Sequence, residues 1–193
     1  MTAAAAKRSP TNTVISGPAG GIVGASFLGQ VLGRRDLISF DVGGTSLDVC
    51  LVEDGRAAAA FEASLENHPL LISIYDIRTI GAGGGSIAWV NEGLLNVGPK
   101  SAGAVPGPIC YGRGGRDPTV TDACLILGYI GPNDFLGGAM QLDLTAARLG
   151  VEHSLATPLG VSLEQASAGV LDVLLAKTVG AVAYSTYTHS RDR

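Results

Sequence analysis

The chain has 193 residues, a length that suits one folding unit with a sizeable buried core. Its net charge is −4 with a pI near 5.3, and it carries no basic stripe with interleaved aromatics, which excludes a surface built to neutralise a nucleic-acid backbone. Although 46% of residues are hydrophobic and the mean hydropathy is +0.32, no uninterrupted apolar run approaches the ~20 residues of a membrane span, so a soluble chain with no membrane partner is expected.

The apolar content is Ala, Val, Leu and Ile with few aromatics, the palette of helices packed closely on a sheet, so a two-layer or three-layer α/β domain is expected. Three widely spaced cysteines, Cys50, Cys110 and Cys124, form no C-x-x-C pair and point to a reducing, cytoplasmic setting. Glycine is the outlier: 28 residues, about double the usual ~7% share, gathered in tight clusters where bare backbone meets something closely.

In chain order, residues 1–12 read as a frayed tail, Met1 to Ala6 lacking the order of a secretory signal. Ser16-Gly17-Pro18-Ala19-Gly20-Gly21 leads into a helix over Ile22 to Leu28 that Gly33 ends. Leu37 to Phe40 reads as a buried strand entering Asp41-Val42-Gly43-Gly44-Thr45-Ser46, and Leu47 to Val52 as the returning strand. Asp54-Gly55 signals a type I′ turn, after which Ala57 to Leu65 would complete a three-strand meander. A second cluster, Gly81 to Ser86, precedes a hairpin with strands Ile87 to Val90 and Leu94 to Val97 around Asn91-Glu92-Gly93. Gly98 to Thr119 has no periodicity and reads as a long loop, functional or disordered. Helices are expected over Val120 to Leu127, starting at Thr121 or Asp122, and over Leu144 to Leu155, starting at Thr145. Ser162-Leu163-Glu164-Gln165 has the form of a capping box and opens a helix to about Tyr184, apolar on several sides and therefore expected to be centrally buried.

The sharpest chemical signal is the turn at Asp41. Its glycines, Gly43 and Gly44, can aim successive N–H groups at a phosphate, and Thr45 and Ser46 add hydroxyl donors. Asp41 can hold Mg2+ directly or through water, a hard cation that prefers carboxylate plus phosphate oxygens, and Asp48 is a supporting candidate. The alternative is an ordinary glycine hairpin capped by its aspartates. Gly83, Gly84, Gly85 and Ser86 offer a second approach for a nucleotide, the alternative being a bulged turn. Ser16 to Gly21 reads equally as an anion nest or as a close helix contact. Asp122 reads as a cap, and Cys110 as a packing residue or a nucleophile with no identifiable base. His68, His153 and His189 lack metal-ligand spacing.

Together these segments resemble the hydantoinase A/5-oxoprolinase family, which includes subunits of acetone-type carboxylases. Four stretches carry the likeness: S-G-P-A-G-G at Ser16, D-V-G-G-T-S at Asp41, I-G-A-G-G-G-S-I-A-W-V from Ile80, and V-G-P-K-S-A-G-A-V-P-G-P-I-C-Y-G-R-G-G from Val97 continuing into P-T-V-T-D-A at Pro118. The likeness covers roughly Thr11 to Lys177, and the combination is far more specific than any one piece.

The resemblance implies a ribonuclease-H-like lobe of the actin, sugar-kinase and heat-shock ATPase type, a mixed sheet with flanking helices. Residues 13–193 would be the second such lobe, incomplete, with the first lobe and a hydantoinase B-type partner outside the chain. It implies ATP and Mg2+ as cofactors and a cyclic amide as substrate, opened by hydrolysis. The alternatives are a ketone, carboxylated by a subunit of the same family, and a catalytically silent assembly lobe. Gly43, Gly44, Thr45 and Ser46 would contact phosphate, Asp41 would lie near Mg2+, and Lys100, Arg113 and Tyr111 would line the acceptor pocket. The ending Thr188-His189-Ser190-Arg191-Asp192-Arg193 departs from the R-G-x-D-P-R-like pattern of relatives.

Overall fold

The computed structural model describes residues 2–13, 16–60, 63–65, 68–70 and 74–191. The fold is α/β, with antiparallel ribbons and flanking helices. The chain divides into two compact units, one of Met1–Asp41, Asp48–Thr79 and Val182–Arg193, the other of Val42–Leu47 and Ile80–Ala181.

In the first unit the tail expected to fray winds into a short helix, α1 (Ala3–Arg8), capped by Thr2 Oγ1, which accepts from the Ala5 N–H at 3.3 Å; none of its residues is buried. Helix α2 (Ser16–Val31) already contains the Ser16 to Gly21 run that was expected to precede it. Pro18 fits there because N–H groups of a first helical turn have no intrahelical acceptor to lose. Gly33, at φ +66°, ends the helix, its N–H donating to Gln30 O at 3.2 Å while Arg34 N–H reaches Gly29 O at 2.8 Å. A Cβ on Gly29 would lie 2.5 Å from Leu37 Cδ2, so glycine there lets the next strand begin against the helix.

Strands β1 (Leu37–Val42), β2 (Leu47–Glu53) and β3 (Arg56–Ala57) lie in that order. Asp54 and Gly55 form the expected two-residue turn, both at positive φ (51° and 74°), with Glu53 opposite Arg56. Residues 57–65 do not continue as one strand. β4 (Ala59–Ala60) pairs with β7 (Ile74–Tyr75) and β5 (Ala63–Leu65) with β6 (His68–Leu70), while Phe61 and Glu62 lie outside the described residues. Ala58 N–H still donates to Leu51 O of β2 at 3.0 Å, and from Ala59 the partner becomes β7. β8 (Arg78–Ile80) also pairs with β2, whose Val49, Cys50, Leu51 and Val52 are buried. β1 was expected to be buried; instead Phe40 is 49% exposed, with Ile38 also open.

In the second unit β9 (Ser86–Asn91) and β10 (Leu94–Ser101) form an antiparallel ribbon around Glu92 and Gly93, both at positive φ. β10 runs past Val97, taking the first residues of the expected loop, with an irregularity between Val97 and Ser101. The ribbon packs Ala88 and Val97 on α3 (Val120–Ile126), on the chain that follows α4 (Leu144–Val151), and on the first turns of α6 (Leu163–Arg191). Thr119, not Thr121 or Asp122, caps α3, and Asp143, not Thr145, precedes α4, its Oδ1 accepting from Ala146 N–H at 2.8 Å. The helix expected to reach Leu155 passes into a π turn over Glu152–Ala156 and ends with α5 (Thr157–Leu159).

The capping box at the start of α6 has both bonds: Gln165 N–H to Ser162 Oγ at 3.1 Å and Ser162 N–H to Gln165 Oε1 at 2.9 Å. The expectation of central burial holds only for its beginning. Leu163, Ala166 and Val170 are in the core, but Val179 is 65% exposed and Leu175, Tyr184 and Tyr187 are exposed as well. At 1.5 Å per residue the helix extends about 30 Å beyond Val170, past the end of that core. By length and mean hydropathy Leu163–Tyr184 is apolar enough to cross a membrane, although Glu164, Asp172 and Lys177 interrupt it and it is no uninterrupted apolar run. Its first turns are nonetheless a wall of a protein core.

Candidate functional site

The turn after Asp41 is closed by Gly43 N–H donating to Ser46 O at 2.8 Å. Gly43 was expected among the phosphate donors, but its amide is spent on the turn. The N–H groups of Gly44, Thr45 and Ser46 have no acceptor among the described residues, and Gly44 and Thr45 are exposed. Three successive N–H groups without an acceptor thus concentrate partial positive charge on one bend.

The second cluster lies directly behind this turn. Gly84 N–H donates to Gly43 O at 3.0 Å and Gly85 N–H to Gly44 O at 2.6 Å. Gly83 N–H donates to Ser86 Oγ at 2.8 Å, and Ser86 N–H returns to Gly83 O at 3.0 Å. Every amide from Gly83 to Ser86 is therefore committed inside the protein, and Gly83, Gly85 and Ser86 are buried. The glycines are required by space: a Cβ on Gly83 would lie 2.6 Å from Gly43 O, on Gly84 2.9 Å from Thr121 Oγ1, and on Gly85 2.9 Å from Gly44 O. Residues expected to meet a nucleotide thus meet the first turn instead.

Behind the second cluster stands the start of α3. Thr121 N–H and Thr121 Oγ1 both donate to Gly84 O at 2.8 Å. Next to it the fully buried Asp122 completes the capping box with Thr119, accepting from Thr119 N–H at 2.9 Å and Thr119 Oγ1 at 2.8 Å. The same carboxylate accepts from Cys110 N–H at 2.8 Å and Ile109 N–H at 3.3 Å. The long segment is therefore ordered where Asp122 grips it. Sequence reasoning saw Asp122 as a cap and missed that it also anchors the loop. T-x-x-D at Thr119 gave a signal for the cap, but nothing marked the Ile109 contact.

Cys110 is fully buried beside Asp122, and burial with the nearby negative charge pushes its thiol far up, the opposite of what a nucleophile needs. Tyr111 is half-buried against Phe135, ring centroids 5.5 Å apart, and burial raises its phenol. Lys100 and Arg113 are exposed.

In the first unit Asp41 and Asp48 line one groove of about 200 Å³ with Pro18, Gly21, Ser39 and Phe40. Thr79 Oγ1 donates to Asp48 Oδ1 at 2.5 Å, and Asp41 Oδ2 lies 3.9 Å from where a Cβ on Gly21 would stand. No group of three His, Cys, Asp or Glu among the described residues is arranged to hold a metal. His153 is exposed, while the side chains of His68 and His189 lie outside the described residues.

Cys50, at the back of the groove, has its thiol raised from 9.0 to about 11 by burial and by the charge of Asp76. The fold thus holds this proton more tightly than the unfolded chain does. The resulting stability is complete below about pH 9 and lost as pH rises through about 11. Unfolding midpoints should fall across that window, and Cys50→Ala should flatten the fall. Iodoacetamide at pH 8 should leave Cys50 and Cys110 unlabelled in the native chain, as read by mass spectrometry.

A family profile described as Hydantoinase/oxoprolinase matches residues 1–192. Over 164 residues, 84% of the chain, the sequence is 41% identical to the caprolactamase subunit alpha of Pseudomonas jessenii, of which that stretch is 24%. The crystal structure of the ATP-dependent caprolactamase from the same organism superposes on 86% of the chain and 24% of its own, with TM-score 0.77 and 38% identity. A nucleotide-free structure of acetone carboxylase, described as an ATP-dependent system, covers 84% of the chain and 23% of its own, with TM-score 0.76 and 36% identity. The chain thus spans about a quarter of the length of these relatives.

Proposed function

Because the chain belongs to the hydantoinase/oxoprolinase family, we propose that it is part of an ATP-dependent enzyme that hydrolyses a cyclic amide, and that its Gly43–Ser46 turn receives a phosphate of ATP. The observation that carries this reading is the set of free N–H groups at Gly44, Thr45 and Ser46, on a turn whose carbonyls are held from behind by Gly84 and Gly85. Such a turn keeps its shape when the anion leaves, so its dipoles need little reorganisation to bind it. The hydroxyls of Thr45 and Ser46 supply further donors.

Asp41 and Asp48 suit Mg2+. That ion takes one or two carboxylates, keeps waters, and draws its remaining oxygens from phosphate, so it needs no cage of three protein ligands. Asp41 would be its carboxylate and Asp48, held by Thr79, a supporting acceptor. When bound, ATP supplies activation of the amide carbonyl by phosphorylation, which weakens amide resonance and opens the carbon to water. The long loop, fixed by Asp122, would face the acceptor with Lys100, Arg113 and Tyr111.

Residues 13–193 would form the second, incomplete ribonuclease-H-like lobe of an actin-type ATPase, acting with a first lobe and a hydantoinase B-type partner. Subunit designations of the relatives support such partners. Three free thiols among the described residues agree with a cytoplasmic setting. Amide hydrolysis is favoured over ketone carboxylation by the higher identity to the caprolactamase subunit, and the near-equal TM-score to acetone carboxylase keeps the ketone as the second reading.

The test joins this chain to the remaining length typical of the family and to a partner subunit, and measures ATP hydrolysis against a panel of lactams, hydantoins and ketones. Lactam-stimulated turnover that Asp41→Asn lowers at least 100-fold is expected. Stimulation by ketones with bicarbonate would select carboxylation. Inertness across the panel with ATP binding intact would mean a silent assembly lobe.

A further inference from the structure

Thr121 sits one residue inside α3, buried, and gives both of its donors to a single carbonyl, Gly84 O, each at 2.8 Å. One donor already satisfies this half-buried carbonyl, so the hydroxyl adds little to polar satisfaction. A second donor on the same oxygen adds a second restraint on the Gly84–Gly85 peptide unit. Gly84 also donates its N–H to Gly43 O at 3.0 Å, and Gly85 donates to Gly44 O at 2.6 Å. Gly84 O and Gly85 N–H belong to one planar peptide unit, so its orientation is passed directly to Gly44 O, whose own peptide unit carries the Thr45 N–H. Space is closed as well: a Cβ on Gly84 would stand 2.9 Å from Thr121 Oγ1, and on Gly83 3.0 Å from Thr45 N.

We infer that Thr121 is a positioning residue for the Gly43–Ser46 turn, its hydroxyl acting through the Gly84–Gly85 peptide and Gly44 O to aim the Thr45 amide. The Thr121 hydroxyl does not touch the anion. Its effect is on how far that amide wanders when no anion is present, and so on how much order must be imposed at binding. The helix supplies the rigidity, because its capping box and the bonds of Asp122 hold the α3 start in the core. This inference rests on the phosphate reading for its consequence in binding, though not for the mechanical link.

The experiment compares Thr121→Val, Thr121→Ala and Thr121→Ser in the 193-residue chain. Amide hydrogen exchange at the bonded N–H groups of Gly43, Gly84 and Gly85 is measured without ligand in that chain, and Mg-ATP affinity by calorimetry in the same variants joined to the remaining length typical of the family. Val and Ala should raise exchange at those amides about tenfold, leave exchange along α6 unchanged, and weaken Mg-ATP binding five- to tenfold. Ser, which keeps the hydroxyl, should restore both. Should Val fail to fold, the contrast between Ala and Ser decides. Exchange at the Gly43, Gly84 and Gly85 amides that is the same in Ala, Ser and parent overturns the inference. Absence of Mg-ATP binding by the parent joined to the remaining length of the family and its partner, with the exchange pattern as expected, overturns the phosphate reading and leaves the positioning role standing.

Discussion

Asp122→Asn should lower the unfolding free energy of the second unit by about 3 kcal/mol. The carboxylate is fully buried and only accepts: Oδ1 from Cys110 N–H, Oδ2 from Ile109 N–H, Thr119 N–H and Thr119 Oγ1. An amide of the same size has one oxygen and one NH2. Whichever way it turns, the NH2 faces either the Cys110 N–H or the three donors around Oδ2, and at least one buried donor loses its acceptor with no water to replace it. The bonds lost are also charge-assisted, the stronger kind. Because Asp122 joins the loop at Ile109–Cys110 to the start of α3, both should loosen together. Trp89, the one tryptophan of the sequence, lies in β9 of the same unit and reports urea unfolding by fluorescence. A midpoint equal to the parent's would mean that the loop is held by something other than this carboxylate.

Gly83→Ala should be as damaging, by about 2–4 kcal/mol, through overpacking. Its Cβ would lie 2.6 Å from Gly43 O and 3.0 Å from both Gly44 C and Thr45 N. All three are backbone atoms, which cannot swing aside as a side-chain tip would. The methyl group would have to push the two turns apart, breaking the Gly84 and Gly85 bonds to Gly43 and Gly44. Mg-ATP binding should therefore fall beyond detection even where the chain still folds. Gly24→Ala is the control: it lies in α2 with open space around its Cβ, and it should be neutral or gain up to about 1 kcal/mol from helix propensity. Equal stability of the two variants would show that the turns are not in close contact.

These two positions mark the boundary of what sequence reading reached. The glycine turn at Asp41, the Asp54-Gly55 turn and the Ser162 to Gln165 capping box were legible because each is decided within a few residues. A left-handed turn or a free helix N-terminus imposes its chemistry on its immediate neighbours. The second glycine cluster was legible as a place of close approach, but its neighbour was not. A sequence marks where a Cβ is forbidden without saying whether a ligand or another backbone occupies the space. The same limit applied to Asp122, seen as a helix cap while its other bonds run to Ile109 and Cys110.

Local pattern was also silent on exposure. The apolar residues of α6 read alike from Leu163 to Tyr184, yet only the first turns meet a core, because burial depends on what lies alongside the helix. The sequence by itself determined the family and the α/β class, and, through short-range sterics and hydrogen bonding, the Asp54-Gly55 turn and the capping box at Ser162. Tertiary structure alone decided that the Gly83–Ser86 amides are used up behind the first turn, that Thr121 and Asp122 brace it and the long loop, and that β1 and the far half of α6 stay open. Those outcomes depend on contacts between residues tens of positions apart, which chain folding brings together and no local spacing encodes.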